Sequence, residues 1–449
     1  MGFPQVGLQE ALVYDVRAYG AVGDGVQDDT AAIQEAINEA GNAGGGVVYV
    51  PVGTYLISTS LKANGNGVYI CGAGIGWEHG DGQPLAGTVL QASSSFPLGS
   101  PFIIWQDPAV ATTYNGGGIT RLAIDCNGVA DGIYSSYTYS FAAYWVYVYD
   151  SWSSGFYASC PSGGSVDSVD ITNCKTFDSL ANSTTFGGHA TTPGGIVLGA
   201  NIFHSRITKS YVVNASADAF VIGDANGQAF GVTASLCTAD TPGGHAYHLQ
   251  GSQYCRVLGC IVYGTPGATS VFLDSGNNHT LSGSYLIGSN SGNNQNAYDG
   301  AVVLVNTQGS QVFGNHITPT AYSTYDIYDF LSGSQTPAVI ENNFIHGIGT
   351  SGVVKGGVSI FRNNQNYNPV GSSVPGTAFA LPASGTAWTN NTGVDGTLHV
   401  TAAGTVTDVV LQGVTVGSSL AVGQSYFVPA GGTITFTYSA APTLVFVGN

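Results

Sequence analysis

Asp218, Asp240 and Asp178 are the carboxylates whose type and spacing best suit catalysis, and His245 and His248 stand close to them in the chain. Glycosidic hydrolysis needs two carboxyl groups flanking one bond, and their separation selects retention or inversion. The chain has only five glutamates, Glu10, Glu35, Glu39, Glu78 and Glu341, and three of them fall in the N-terminal extension and its helix. A hydrolytic pair here is therefore expected to be built from aspartates. Asp131, Asp218 and His245 each stand two residues ahead of an apolar strand anchor, which makes Asp218 and His245 neighbours on consecutive coils. Asp218 is the leading catalytic candidate, with Asp240 or Asp178 as partner. His245 and His248 are the candidates for orienting substrate or tuning a pKa, with His189 nearby. A second acidic group, Asp274, Asp299, Asp326 and Asp329, surrounds a later insertion. The competing reading is structural, because Asp is favoured in turns that lead into strands.

A lyase would need different parts. Removing a proton beside a uronate carboxylate takes a base and positive charge for the enolate-like intermediate. Arg121, Lys175, Arg206, Lys209 and Arg256 are few and dispersed in sequence, so calcium held by aspartates would have to help. No other cofactor or metal is expected. Aromatic residues crowd the stretch from Tyr134 to Tyr157, and strand alternation cannot bury all of them. Tyr134 and Tyr157, one residue past their strand anchors, are expected to face outward and meet sugar rings, although such a patch equally suits a subunit interface. Trp388 is read as a core residue or a sugar platform.

The elements that carry these residues are announced by a recurring phrase, an aliphatic residue, two variable residues, then Asn, Ser or Cys. It appears at Ile124, Val148, Ile171, Ile207, Val232, Val257, Leu281, Val312, Ile340 and Ile360, with anchors 20 to 36 residues apart and mostly near 24. Strand-length units at that period mark a solenoid whose coils bury their inner faces on one another. A second strand aligns at Ile133, Phe156, Ile196, Phe220, Tyr247, Val271, Val302, Ile327 and Val353. Coils of this size suit a parallel β-helix, with the Asn/Ser/Cys column as an internal ladder at a corner. Leucine-rich repeats would need a helix per repeat, and none is visible.

Ahead of the coils, Asp28 to Ala40 reads as a helix that presents Ile33, Ala36, Ile37 and Ala40 to the open end of the stack. Residues 1–66 form the extension, capping helix and entry strands, 67–366 the β-helix, and 367–376 a linker. Residues 377–449, with alternating runs between glycines, form a small C-terminal β domain of sandwich type. The expected class is all-β.

Composition narrows the partners. Nine Lys and Arg against 26 Asp and Glu give a net charge of −17, which argues against nucleic acid and anionic membranes. No apolar run is long enough to span a membrane, and no signal peptide is visible. A hydrophobic content of 43% is too high for disorder. The seven cysteines lack paired metal spacing and are read mainly as small buried packing residues.

The segment YDVRAYGAVGDGVQDDTAAIQEAI, from Tyr14 to Ile37, followed by GGGVVYVPVGTYLI, resembles the entry motif and first coil of the pectate-lyase-like superfamily. The resemblance spans roughly residues 12 to 366 and implies a right-handed β-helix, a polysaccharide or oligosaccharide partner and a homotrimer. It also implies an extracellular or virion-associated setting. That superfamily includes hydrolases, lyases, transferases and non-catalytic tailspike proteins. Hydrolysis or transglycosylation of a neutral or weakly charged glycan by paired aspartates is the leading expectation. A lyase and a non-catalytic glycan-binding fibre are the alternatives. Asp24, Asp28 and Asp29 of the motif are read as turn and helix-start residues.

Overall fold

The coils stack their strands into two long parallel sheets, the first of which takes two short strands from most of the later coils, and the chain's hydrophobic core is the channel between them. The computed structural model describes residues 12–448 apart from 77–86, 107–113, 161–163, 183–184, 187–188, 225–226, 266–267, 290–299, 319–323, 332–334, 347–351, 355–358, 363, 365–376, 391–394 and 430. Asp299 and most of the Gly288–Gly300 insertion lie outside the described residues, as does the side chain of His189.

The helix spans Thr30–Asn42 and buries Ile33, Ala36, Ile37 and Ala40 against the strands Gly46–Val50 and Leu61–Ala63. The acids at its start are occupied by local backbone. Asp29 accepts the N–H groups of Val22 and Gly23 at 2.7 and 3.0 Å, and Asp24 accepts those of Val26 and Gln27. Asp28 accepts from Thr30 and from the Ser58 hydroxyl at 2.6 Å. All three serve the turn, as their local preference suggested.

The second sheet follows the sequence-derived column without a slip. Ile133 pairs with Phe156, Phe156 with Ile196, Ile196 with Phe220, and so on through Tyr247, Val271, Val302 and Ile327 to Val353. In the first sheet the register runs Ile171, Ile207, Ala234, Val257, Leu281, Val312, Ile340, Phe361. Ala234 and Phe361 replace the expected anchors Val232 and Ile360, so the ladder residues of those coils are Cys237 and Asn364. Ile124 and Val148 belong to the neighbouring column, because Gly117–Asp125 and Ala142–Tyr149 are long strands that run through the place where later coils turn.

That turn explains the phrase. Its third residue adopts a left-handed conformation in every described coil, at Asn173, Lys209, Leu236, Gly259, Gly283, Gly314 and Asn342. The residue after it sends a polar atom back to buried backbone. Ser210 Oγ accepts the Cys174 N–H, Ser284 Oγ that of Cys260, and Asn315 Oδ1 that of Ser284. Buried turn amides thereby find partners that the strand ladders cannot supply. All seven cysteines are free and buried, and burial pushes the Cys174 thiol up to about 12, so it packs rather than reacts.

Near the C-terminus two four-stranded antiparallel sheets share a separate core of Leu398, Val409, Val428, Ile434, Phe436, Leu444 and Phe446. Trp388 packs edge-on to Phe379 and Phe446, at 4.8 and 5.5 Å, and so belongs to that core. The architecture is all-β: a right-handed parallel β-helix with one N-terminal helix and small antiparallel sheets behind it. No described helix is long and apolar enough to cross a membrane.

Candidate functional site

Two faces of the β-helix gather the residues capable of chemistry, one on the outside of each sheet. On the second sheet, Asp218 opens the strand Asp218–Ile222, and His245 stands opposite it just ahead of Tyr247–Gln253. The His245 N–H donates to Asp218 Oδ1 at 2.6 Å, so these two are neighbours on consecutive coils. The other carboxylate oxygen meets His248 Nδ1 at 2.8 Å. His248 Nε2 points toward Asp274 Oδ2 at 3.7 Å, an ion-pair distance too long for a hydrogen bond. Gly244 is required beside this carboxylate, because a Cβ there would run into Asp218 Oδ1.

The cluster is half-shielded, with His248 and Asp218 side chains only 13% and 16% exposed, and Phe272 stacks 5.0 Å from the His248 ring. Burial opposes charge on Asp218, yet the His248 hydrogen bond and the adjacent imidazoles outweigh it and hold the carboxyl below its usual range. The His248 contact also lowers Asp274. Burial opposes protonation of His248 too, but its two carboxylates push it up to about 9. Burial wins at His245, which falls to about 4.

The signs give a stability profile. The His248 value lies above the roughly 6.5 of an unfolded histidine, so its contribution is whole below about pH 6.5 and lost as pH rises through about 9. The lowered Asp218 and Asp274 contribute above the ordinary carboxylate range, near pH 4, and lose that contribution on acidification. Buried neutral His245 subtracts stability as pH falls below about 6.5. In chelator-containing buffer, urea titrations are expected to show stability falling between about pH 7 and 10, and His248→Gln should flatten that limb. Equal slopes in both proteins would refute the assignment.

Tyr134 and Tyr157 occupy the outward column but are buried, 0% and 2% exposed, with their rings 4.9 Å apart. Tyr134 donates to Asp131 at 2.8 Å, and the Tyr157 hydroxyl lies 3.4 Å from Asp224. Neither ring offers a face to a sugar in this chain. Asp326 and Asp329 are buried as well.

Asp240 stands on the first sheet and Asp178 at the corner that follows it, whereas Asp218 opens a strand of the second. Asp178 is exposed and left-handed in a corner column with Asp150, Asn214 and Thr241, and its N–H donates to Val213. Asp240 Oδ2 accepts from Tyr211 Oη at 2.7 Å. Tyr211 pairs in register with Lys175, and Lys175 with Tyr147. The Lys175 ammonium lies 4.8 Å from the Tyr147 ring and 5.9 Å from that of Tyr211. Tyr147 also lines a hollow of about 340 Å³ with Arg121, Tyr144, Trp145 and Gly74–Gly76. Tyr144 and Trp145 are nearly half exposed, so within the stretch from Tyr134 to Tyr157 these two rings, with exposed Tyr139 elsewhere, supply the expected aromatic surface.

Arg121, Lys175, Arg206, Lys209 and Arg256, dispersed in sequence, all lie on this sheet or its corner. The sequence reading missed this gathering. The signal was present, since Arg206 and Arg256 each stand just before a repeat phrase, Lys209 within one, Lys175 just after one and Arg121 shortly ahead of Ile124.

The fold is related to the pectate-lyase-like proteins, and residues 13–136 match the family model described as rhamnogalacturonase A/epimerase, pectate lyase-like. Two curated relatives come from Azotobacter vinelandii. Mannuronan C5-epimerase AlgE5 is 51% identical over 72 residues, 14% of this chain and 7% of that protein. Alginate lyase 7 is 48% identical over 71 residues, 14% of this chain and 8% of that protein. The chain thus spans under a tenth of the length of either. PfbA, a surface adhesin of Streptococcus pneumoniae, shares the fold with a TM-score of 0.55 at 15% identity, over 79% of this chain and 91% of that one.

Proposed function

We propose that this protein acts on an acidic polysaccharide by proton transfer beside a uronate carboxylate, a lyase or epimerase reaction, on the outer face of the first sheet. The observation that carries this is the run Arg121, Trp145, Tyr147, Lys175, Tyr211, Asp240, in which two cations, exposed rings and a hydrogen-bonded Tyr–Asp pair follow one another across the coils. On a chain of charge −17, a polyanion is attracted only where cations gather. The names of the epimerase and lyase relatives support the same substrate class.

In this reading Lys175 neutralises the uronate carboxylate, which acidifies the proton on the adjacent carbon, and Arg121 at the hollow holds a carboxylate further along the polymer. Tyr211 Oη takes that proton while its own passes to Asp240. Return of a proton to the opposite face inverts the centre. Cleavage of the neighbouring C–O bond, with a proton delivered to the departing oxygen, leaves an unsaturated uronate. Trp145 and Tyr144 hold sugar faces. Hydrolysis by paired aspartates has less support, since Asp218 and Asp240 stand on different sheets and Asp218 and Asp274 are both held ionised, leaving neither as an acid.

Incubation with a panel of uronate polymers in deuterated water tests the reading. Unsaturated-uronate absorbance or deuterium at the inverted carbon is expected, and Trp145→Ala should weaken binding about tenfold with unchanged melting. Reducing ends released from a neutral glycan without either signal would overturn it in favour of hydrolysis. Binding without turnover would favour a non-catalytic role.

A further inference from the structure

The second-sheet cluster is not used by that chemistry, yet among the described residues it is the one group of three or more potential ligand side chains that could hold an ion. We propose that His245, His248 and Asp274, with Asp218 orienting the His248 ring from behind, form a site for a single divalent transition-metal ion of the zinc class, whose surroundings tie three consecutive coils together.

The geometry supports an ion rather than a closed hydrogen-bond network. One ligand atom each from Asp218, His245 and His248 lies within 4.8 Å of the others. His248 Nε2 is buried with no hydrogen-bond partner and faces Asp274 Oδ2 at 3.7 Å. Bonds of about 2.0–2.2 Å at a tetrahedral centre place two ligand atoms roughly 3.4 Å apart, so that gap needs little adjustment to take an ion. Behind the ring, Asp218 holds Nδ1 at 2.8 Å, the carboxylate–imidazole arrangement that fixes the tautomer and raises the basicity of a metal-binding histidine. Its other oxygen is anchored by the His245 N–H.

Asp131 supplies an internal comparison, because it occupies the same column of the second sheet. Its carboxylate accepts the N–H groups of Ser153 and Ser154 and the Tyr134 hydroxyl, a complete structural role. At Asp218 a histidine takes the place of the tyrosine, and its far nitrogen reaches on toward another carboxylate. Nothing in capping a strand requires that extension. Two imidazoles with carboxylates favour zinc, cobalt or nickel over calcium or magnesium, which prefer all-oxygen sites. A dication also balances the charge of the two carboxylates that flank His248.

The test is titration of the full-length, untagged, chelator-treated protein with Co²⁺, followed by calorimetry and by visible absorption, with Zn²⁺ in competition. One equivalent of Co²⁺ is expected to bind with the visible bands of a low-coordinate nitrogen and oxygen site, and Zn²⁺ should displace it. His248→Gln and Asp274→Asn are each expected to weaken binding at least tenfold. His316→Gln, on the first sheet, should leave the titration unchanged. Should His248→Gln fail to fold by circular dichroism, Asp274→Asn at the rim of the cluster decides. Absence of stoichiometric binding, or binding that survives Asp274→Asn unchanged, would overturn the proposal. The readout is metal, so neither result depends on which glycan the first sheet handles.

Discussion

Lys175→Met is expected to lower turnover on a uronate polymer by about two to three orders of magnitude while leaving the melting temperature within a degree or two of the parent. The side chain is partly exposed, its ammonium lies over Tyr147, and a methionine of similar length keeps the aliphatic stem on that ring. What is lost is the positive charge over the developing enolate. Charge made only in the transition state lowers kcat and kcat/KM together, whereas Arg121→Met, at the hollow, should act mainly on KM. Tyr211→Phe removes the proton acceptor and should cost a comparable factor. Combining it with Asp240→Asn should add little, because both belong to one relay. Initial rates by unsaturated-uronate absorbance, with a thermal melt of each variant, check the set. Unchanged kcat in Lys175→Met would remove the first sheet from the reaction.

The division of labour between the faces follows from how a β-helix is built. Neighbouring strands stand about 4.8 Å apart, so one residue per coil gives a straight column, and chemistry is assembled by choosing residues along it. Tyr147, Lys175 and Tyr211 are successive members of one column. Val221, His248 and Phe272 are successive members of another. A mutation that shifts one coil's register by one residue would turn that coil's member of each column inward, which ties function to the corner turns.

Those columns also decide what was legible in the sequence. The second-strand alignment from Ile133 to Val353 was readable because apolar anchors alternate cleanly and turn residues bracket them, and it placed Asp218 beside His245. The first-sheet phrase slipped at Val232 and Ile360, where Ala234 and Phe361 carry the register, because an alanine is a weak apolar signal and adjacent Ile360 and Phe361 are equally good anchors. Asp240 and Asp178 were assigned to Asp218's neighbourhood from chain proximity. Asp240 lies on the first sheet and Asp178 in the corner after it, and an interval counted along the chain does not reveal which side of a corner a residue occupies. Asp274 was recoverable, since His248 and Gln250 on one coil and Phe272 and Asp274 on the next share the outward face by alternation. The outward direction of Tyr134 and Tyr157 followed from the same rule. Their burial did not, because it depends on what covers that column.

Asn343→Leu is expected to be among the most destabilising single changes in the β-helix, costing about 3–5 kcal/mol, although the two side chains are close in size. Asn343 is 1% exposed and stands in the corner ladder between Asn315 and Asn364. Its Oδ1 accepts the Asn315 N–H at 3.0 Å and the Asn315 side-chain amide at 2.9 Å. Its Nδ2 donates to the Val312 carbonyl at 3.0 Å and to Asn364 Oδ1 at 2.9 Å. Leucine removes all four bonds and leaves a backbone N–H, a backbone C=O and parts of two amides facing hydrocarbon. Each such orphan costs about 1–3 kcal/mol, which outweighs the gain from burying the added methyl groups. Asn343→Ser should cost less, since serine serves the same ladder at Ser210 and Ser284 by accepting the preceding coil's N–H. Urea denaturation of the two variants checks the order. A leucine variant as stable as the serine variant would mean that packing volume, rather than the polar ladder, holds the corner.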